Sequence, residues 1–372
     1  MRFYLIAGEA SGDLHGAALI EALRRLKPDV QIRCWGGDRM AQAGGVVAKH
    51  YRDLAFMGFW EVLRNLRVIL RNLNFCKKDI LAFGPDAIVL IDYPGFNLRI
   101  ARWAKKQNIP TVYYIAPQVW AWHESRIPAM RRDIDRLLVI LPFEQAFFEK
   151  NQIPARYVGH PLMERIPDDA PPPAQREKLI ALLPGSRRQE IAAILPPMVE
   201  AAAAMPDYRF VVLCAAAQPD ALYDPWRHKA PNVQFYRGDA YALLKSARAA
   251  LVKSGTSTLE TALCNTPQAV CYKGNPISYQ IARRLVKTRY IALVNLILDR
   301  PLVRELIQHE LHAQALTEAL AHILQPDETE RICAGYAELR YLLGADNASE
   351  NAASETLRIA LTGSKERGRG ES

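Results

Sequence analysis

Paired cysteines are missing. The six cysteines, Cys34, Cys76, Cys214, Cys264, Cys271 and Cys333, include no C-x-x-C pair, and several lie in apolar runs. They read as buried thiols in a reducing compartment, which argues against a disulfide-stapled scaffold. No apolar run approaches the roughly twenty residues that a membrane span needs. Nor does a charged-then-apolar leader precede the first apolar run, Phe3-Tyr4-Leu5-Ile6-Ala7, so a cytoplasmic protein is expected. His309 and His312 form an H-x-x-H without the rest of a zinc-protease pattern and read as surface residues. Acids are the scarcer charge: 39 Asp and Glu against 48 Lys and Arg leave a formal net charge of +9. That balance favours anionic partners, whether nucleic acid, phosphorylated small molecules or an acidic membrane surface.

What is present is an ordinary folded composition, 50% hydrophobic and 23% charged, over 372 residues. Such a length is more than one core usually holds, so two domains are expected. Strand-like runs alternate with helical ones in both halves, which implies parallel sheets with helices on both faces. The run Asp168-Asp169-Ala170-Pro171-Pro172-Pro173 is polar and proline-rich. It marks a linker over 166–177 between a first domain at 1–165 and a second at 178–345. A terminal helix over 346–362, packing back on the first domain, and a disordered polar tail over 363–372 complete the expected organisation. The fold class is α/β, with two facing Rossmann-like domains and a cleft between them.

The first strand runs into Gly8-Glu9-Ala10-Ser11-Gly12-Asp13-Leu14-His15-Gly16. Its G-x-x-x-G-x-x-x-G spacing fits neither the dinucleotide fingerprint nor a P-loop. What remains is a close-approach ligand loop, with Glu9, Ser11 and Asp13 as polar groups and Gly12 among its glycines. Met57, Phe59 and Trp60 crowd together before Leu63, Leu66 and Leu70, which recur at helical spacing beside Arg64, Arg67 and Arg71. The segment fits a core-facing helix with a wet basic face, or an interfacial membrane element or acyl-chain site. Asp92 ends the buried-type strand Asp86–Ile91, where a parallel strand faces the ligand crevice. Apolar neighbours raise its pKa and suit it to accept a proton; its plainer role is to cap the next helix. Trp120 and Trp122 either wall an apolar or sugar ligand or plug a core. Asp133-Ile134-Asp135 looks like a metal-binding D-x-D, but it stands at a strand entrance, so no metal is assigned to it.

In the second half, a strand ends at Leu183-Pro184-Gly185-Ser186-Arg187-Arg188 before a helix. Unpaired N–H groups at such a turn bind anions, and Arg187 adds charge. Ser254-Gly255-Thr256-Ser257-Thr258-Leu259-Glu260 is a second such loop. Gly255 permits close backbone approach to a phosphate, Thr256 and Ser257 add hydroxyls, and Glu260 is placed to take a ribose. Ser257 and Glu260 equally fit a capping box. Tyr272 and Lys273 follow another strand and border the same nucleotide. Asn295, alone in the apolar run 290–297, reads as a satisfied turn residue.

Taken in order, Ala7–Asp13, Ile91-Asp92-x-Pro94-x-Phe96-Asn97, Pro117–Trp122, Leu141–Glu144, Leu183–Arg187, Ser254-Gly255-Thr256 with Glu260, and Leu293–Leu296 resemble the lipid-A-disaccharide synthases. Seven motifs in register cover the chain from about Phe3 to the last helices. The resemblance implies a GT-B glycosyltransferase fold. It also implies transfer from UDP-2,3-diacylglucosamine to 2,3-diacylglucosamine 1-phosphate (lipid X) by an inverting displacement. It carries the family's general base onto Asp92 and its important Arg and Asn onto Arg187 and Asn295. Gly185 to Arg187, Gly255 to Ser257, Glu260, Tyr272 and Lys273 would then hold UDP. Glu9, Ser11, Gly12, Met57, Phe59, Trp60, Leu63, Trp120 and Trp122 would hold the acceptor and its acyl chains. No metal or other cofactor is expected, because Arg187 and the helix start at Gly255 supply the positive field. The implied partners are UDP-diacylglucosamine, lipid X and the cytoplasmic face of the inner membrane, with peripheral attachment; a homodimer is an open expectation. Gly95 stands where relatives often carry a second acid, so any role of that acid is absent. Two rivals remain: another UDP-sugar enzyme of this fold, such as an epimerase or soluble-acceptor transferase, and a non-catalytic peripheral membrane or nucleic-acid-binding protein. The basic residues are dispersed, so nucleic acid is not expected as a partner.

Overall fold

Runs such as Phe3-Tyr4-Leu5-Ile6-Ala7 and Ala87-Ile88-Val89-Leu90-Ile91 are fully buried in the computed structural model. Strands covered on both faces by helices need no polar alternation, which is why these runs are apolar throughout. Alternation survives as a choice of face: Tyr4, Ile6, Ile88 and Leu90 pack with Trp35 on one side. Phe3, Leu5, Val89 and Ile91 pack on the other. The described residues are 1–54, 66–122, 124–275, 279–280, 288–344 and 347–368.

The chain divides into two units, Met1–Pro161 with Ala345–Ser372, and Leu162–Gly344. In the first, the order is β1 (Arg2–Ala7), α1 (Ala10–Leu26), β2 (Gln31–Gly36), α2 (Asp38–Gln42), β3 (Val46–His50), α3 (Leu66–Phe83), β4 (Ala87–Ile91) and α4 (Pro94–Lys106). Then come β5 (Thr111–Tyr114), α5 (Ile127–Asp133), β6 (Arg136–Val139), α6 (Pro142–Lys150) and β7 (Ala155–Tyr157). The second unit carries β8 (Glu177–Leu183), α7 (Arg188–Ala203), β9 (Arg209–Leu213), β10 (Val233–Tyr236), α8 (Ala240–Ser246) and β11 (Ala247–Lys253). It continues with α9 (Thr256–Leu263), β12 (Gln268–Tyr272), α10 (Leu293–Leu298), β13 (Glu305–Ile307), α11 (Ala313–Ile323) and α12 (Pro326–Leu343). The last helix, α13 (Ala348–Gly368), belongs to the first unit.

The sheets run β3-β2-β1-β4-β5-β6-β7 and β10-β9-β8-β11-β12-β13. The pairings are parallel; β1 lies between β2 and β4, and β8 between β9 and β11. Both sheets therefore reverse direction of build after their third strand, the point where open α/β sheets bind ligands. Ala352, Ala353, Ile359 and Ala360 of α13 join the core on the β1–β4 face that α1 also covers.

Two expectations change. The run 166–177 is not a free linker: Ile166 is fully buried, and the Arg176 guanidinium reaches the carbonyls of Ala247 (3.0 Å) and Asn265 (2.9 Å) and Thr266 Oγ1 (2.9 Å). Proline keeps this run out of a central strand or a long helix, but it does not stop a neighbouring arginine from satisfying otherwise unpaired carbonyls in the second unit. The tail expected to be disordered from 363 is helical through Gly368. Once the alanine face of α13 is docked, each further helical residue adds a bond without a new nucleation cost. The short strand β3, half exposed and ending in Lys49-His50, lacks the apolar run that would have announced it.

Candidate functional site

At the carboxyl end of β4 the backbone turns through two consecutive left-handed residues, Asp92 (φ 46°) and Tyr93 (φ 49°). Side chains other than glycine adopt that region at a cost of roughly 1–2 kcal/mol each, so surrounding structure must hold it. The buried Asn97 donates from Nδ2 to the carbonyls of Asp92 (2.8 Å) and Ile91 (3.2 Å). The Tyr113 hydroxyl donates to the Asp92 carbonyl at 2.6 Å. The Asp92 N–H reaches Tyr114 O at 3.1 Å. The neighbouring loop, after β1, fits against this turn: a Cβ on Gly8 would stand 2.4 Å from the Tyr93 ring. Burial, and next the charge of Glu9, push the Asp92 carboxyl above the usual aspartate range. A carboxylate so raised, at a sheet's switch point, is equipped to take a proton.

The other expected residues of this unit separate. Glu9 and Ser11 are exposed, whereas Gly12 is buried with its Cβ position 3.0 Å from that of Ala7. Asp13 is a structural anion, accepting from the N–H groups of Gly37 (2.6 Å) and Met40 (3.1 Å) at the start of α2. Trp120 takes the core role: it is 8% exposed and its Nε1 donates to Glu144 Oε1 at 2.9 Å. Burial pushes the Glu144 carboxyl up to about 7 despite that bond and two backbone donors. Trp122 is 53% exposed, so of the pair it is the one open to a ligand. Asp135 accepts from Thr111 N–H and Lys105, and Asp133 pairs with Arg132. Met57, Phe59, Trp60 and Leu63 lie outside the described residues.

In the second unit, the ends of β8, β9 and β11 enclose a cavity of about 780 Å³. Gly185, Ser186 and Arg187 line it from one loop, and Gly255, Thr256 and Ser257 from the other. Gly185 (φ +113°) and Gly255 (φ +151°) hold backbone conformations that a side chain would strain. These are the two anion loops of the sequence, brought to one pocket by adjacent parallel strands. Its other lining residues include three with charged side chains, Lys253, Glu190 and Arg237. Arg237 donates to the carbonyls of Ala215 (2.9 Å) and Gln218 (2.6 Å), tying down the loop after β9.

Glu260 does not line that cavity. Its Oε1 accepts from the Tyr241 hydroxyl at 3.1 Å, and no side-chain cap forms at the start of α9, so the capping box is not realised. Burial raises its carboxyl above the usual range. Tyr272 and Lys273 stand at the end of β12, one strand further along, also off the cavity lining. Asn295 is the satisfied residue that its place in an apolar run suggests. It is 1% exposed, with Nδ2 donating to Val303 O (2.8 Å) and Glu305 Oε1 (2.9 Å) and Oδ1 accepting from Val303 N–H (3.0 Å). A buried amide engaged at both ends positions backbone, here the approach to β13. Ser254 Oγ donates to Ile291 O at 2.9 Å, which joins the same segment to the β11 loop.

The residues missed were the supports. Glu190 had a signal, an acid three positions after Arg187 at a helix start. Asn97 stands in the Asp92 motif, but nothing in that motif says it holds the Asp92 carbonyl; Tyr113 on β5 and Arg237 after β10 reach their partners through space, so local pattern could not find them.

Two Rossmann-like parallel sheets of this order are the architecture of the GT-B fold. The fold matches a UDP-GlcNAc 2-epimerase from Neisseria meningitidis, solved with UDP-GlcNAc bound, at TM-score 0.65 and 14% identity, over 96% of this chain and 100% of that one. It also matches a calicheamicin glycosyltransferase at TM-score 0.60 and 15% identity, over 96% and 97%. Sequence narrows the class: the family model described as lipid-A-disaccharide synthetase matches residues 3–359. The lipid-A-disaccharide synthase of Anaeromyxobacter sp. (strain K) is 39% identical over 95% of this chain and 96% of its own. That of Azotobacter vinelandii is 38% identical over 97% and 98%. The chain belongs to the lipid-A-disaccharide synthase family.

Proposed function

We propose that this chain joins UDP-2,3-diacylglucosamine to 2,3-diacylglucosamine 1-phosphate, giving the β-1,6-linked disaccharide 1-phosphate and UDP. Family membership along the whole chain supports the lipid A disaccharide role; the raised Asp92 carboxyl, carried on a backbone turn held by Asn97 and Tyr113, is the observation that carries the mechanism. Asp92 accepts the proton of the acceptor's primary hydroxyl as that oxygen attacks the donor's anomeric carbon. The bond from that carbon to the UDP oxygen breaks, and the electron pair leaves with UDP. Arg187 and the N-terminus of α9 face the charge that develops there and stabilise it. The diphosphate lies between the two loops of the 780 Å³ cavity.

The acyl chains call for contact with a membrane surface. Among the described residues no helix is long and apolar enough to cross one. On α3, however, Leu70, Phe75 and Leu81 are exposed beside the exposed Arg67, Arg71 and Lys78, which supports peripheral attachment to an anionic surface. Incubation with UDP-diacylglucosamine and lipid X should release UDP and a disaccharide phosphate. Equal turnover of donors without acyl chains would favour a soluble-acceptor enzyme instead. Flotation with anionic vesicles, lost when Arg67, Arg71 and Lys78 become glutamine, tests the attachment.

A further inference from the structure

One carboxylate already stands where the donors of the second unit's cavity converge. Glu190 Oε2 accepts from the N–H groups of Ser186 and Arg187, each at 3.3 Å. Its Oε1 lies 3.0 Å from Lys253 Nζ and 3.4 Å from an Arg187 guanidinium nitrogen. A Cβ on Gly185 would come within 2.7 Å of Oε2, so glycine there leaves room for the carboxylate. This is no solvated surface pair: the side chains of Glu190 and Lys253 are 16% and 21% exposed. Partial burial pushes the Glu190 carboxyl up, but Lys253 and the Arg187 N–H outweigh it, and the group stays ionised below the usual glutamate range.

We infer that Glu190 is a resident anion filling the diphosphate subsite of the empty enzyme, and that Lys253 transfers from Glu190 to the donor's diphosphate when the nucleotide-sugar binds. The inference rests on the donor reading given above. Two anions cannot share one set of donors, so the diphosphate enters only by displacing the carboxylate. Because Glu190 is tethered beside those donors, its effective concentration is high, and free phosphate cannot compete with it. A nucleoside diphosphate can, since its base and sugar add binding elsewhere in the pocket. Glu190 thereby sets specificity for a complete nucleotide, and Lys253 becomes a donor-binding residue that balances the Glu190 charge until the nucleotide arrives.

Calorimetric titration of the full chain with UDP, uridine and inorganic phosphate tests this, using the wild type, Glu190→Gln, Lys253→Met and the double variant, with thermal melts confirming folding. Glu190→Gln should bind UDP about tenfold more tightly and uridine unchanged, while Lys253→Met binds UDP about tenfold more weakly. The Lys253→Met loss should persist in the Glu190→Gln background, and phosphate should compete with UDP only once the carboxylate is gone. Glu190→Ala, which removes the carboxylate by another route, should shift UDP affinity in the same direction and serves if the glutamine variant does not fold. Weaker UDP binding by the Glu190 variants overturns the inference. So does a Lys253→Met loss that vanishes in the double variant, because Lys253 would then serve only to neutralise Glu190. A wild type that binds no UDP overturns the donor reading itself; UDP binding with a flat cycle overturns this inference alone.

Discussion

The first unit builds its switch point from acids on a strained turn, the second from glycines, hydroxyls and cations on relaxed ones. In both, the central strand is flanked by the second and the fourth strands of its own unit, so the same loops meet at the same place. Between β1 and β4 stand Glu9 and Asp92, with left-handed backbone forced on Asp92 and Tyr93 and held there by Asn97 and Tyr113. Between β8 and β11, positive φ falls on Gly185 and Gly255, and the positive charges of Arg187 and Lys253 gather round Glu190. Strand order decides where a ligand is met. On the function proposed above, a handful of residues after each strand decide whether that place takes a proton or holds an anion.

The largest effect should come from the acid side of this contrast. Asp92→Asn is expected to lower kcat on the order of a hundredfold or more, with melting temperature unchanged because asparagine tolerates the left-handed region well. Near-normal turnover in a folded variant would remove Asp92 from the mechanism. On the cationic side, Arg187→Gln should cost on the order of tenfold to a hundredfold in kcat/KM. The acidic limb of its pH profile should stay in place, since the base in the other unit is untouched; a moved limb would mean the two roles are not separable.

Tyr113→Phe probes how the strained turn is held. Losing a buried bond to the Asp92 carbonyl should cost about 1–2 kcal/mol in urea unfolding, and an unchanged midpoint would leave the turn to Asn97 and the Asp92 N–H bond to Tyr114. The smallest effect is electrostatic. A base must be ionised to act, so a raised Asp92 pKa places the acidic limb of kcat/KM above the ordinary aspartate value. Glu9 contributes to that rise, so Glu9→Gln should move the limb to lower pH. A limb that stays put would show that burial alone sets it.

Much of this plan was legible along the chain because local rules carried it. Buried parallel strands need continuous apolar runs, and tight loops beside ligands need glycine and small hydroxyl residues, so both switch points could be located from pattern. Roles went astray where a side chain could reach more than one partner. Asp13 lies in the first ligand loop but caps α2; Trp120 lies beside Trp122 but turns inward to Glu144. Glu260 bonds to Tyr241, while Asn295 keeps its reading as a satisfied residue, bonded at the approach to β13. The proline run read as a linker because composition reports what backbone cannot do, while the destination of Arg176 is a matter of distant carbonyls.

By itself the sequence determined the class of fold, the two sets of strand-end loops and the family, since periodicity and spacing are written in neighbouring residues. Only the tertiary structure decided that Asp92 is held by Asn97 and Tyr113, that Arg237 and Lys253 join one cavity, and that Glu190 pairs with Lys253 in its lining. Those assignments depend on which side chains meet after strands far apart in the chain come side by side. Hydrogen bonds and charge pairs act over a few ångströms of space, and distance along the chain does not predict them.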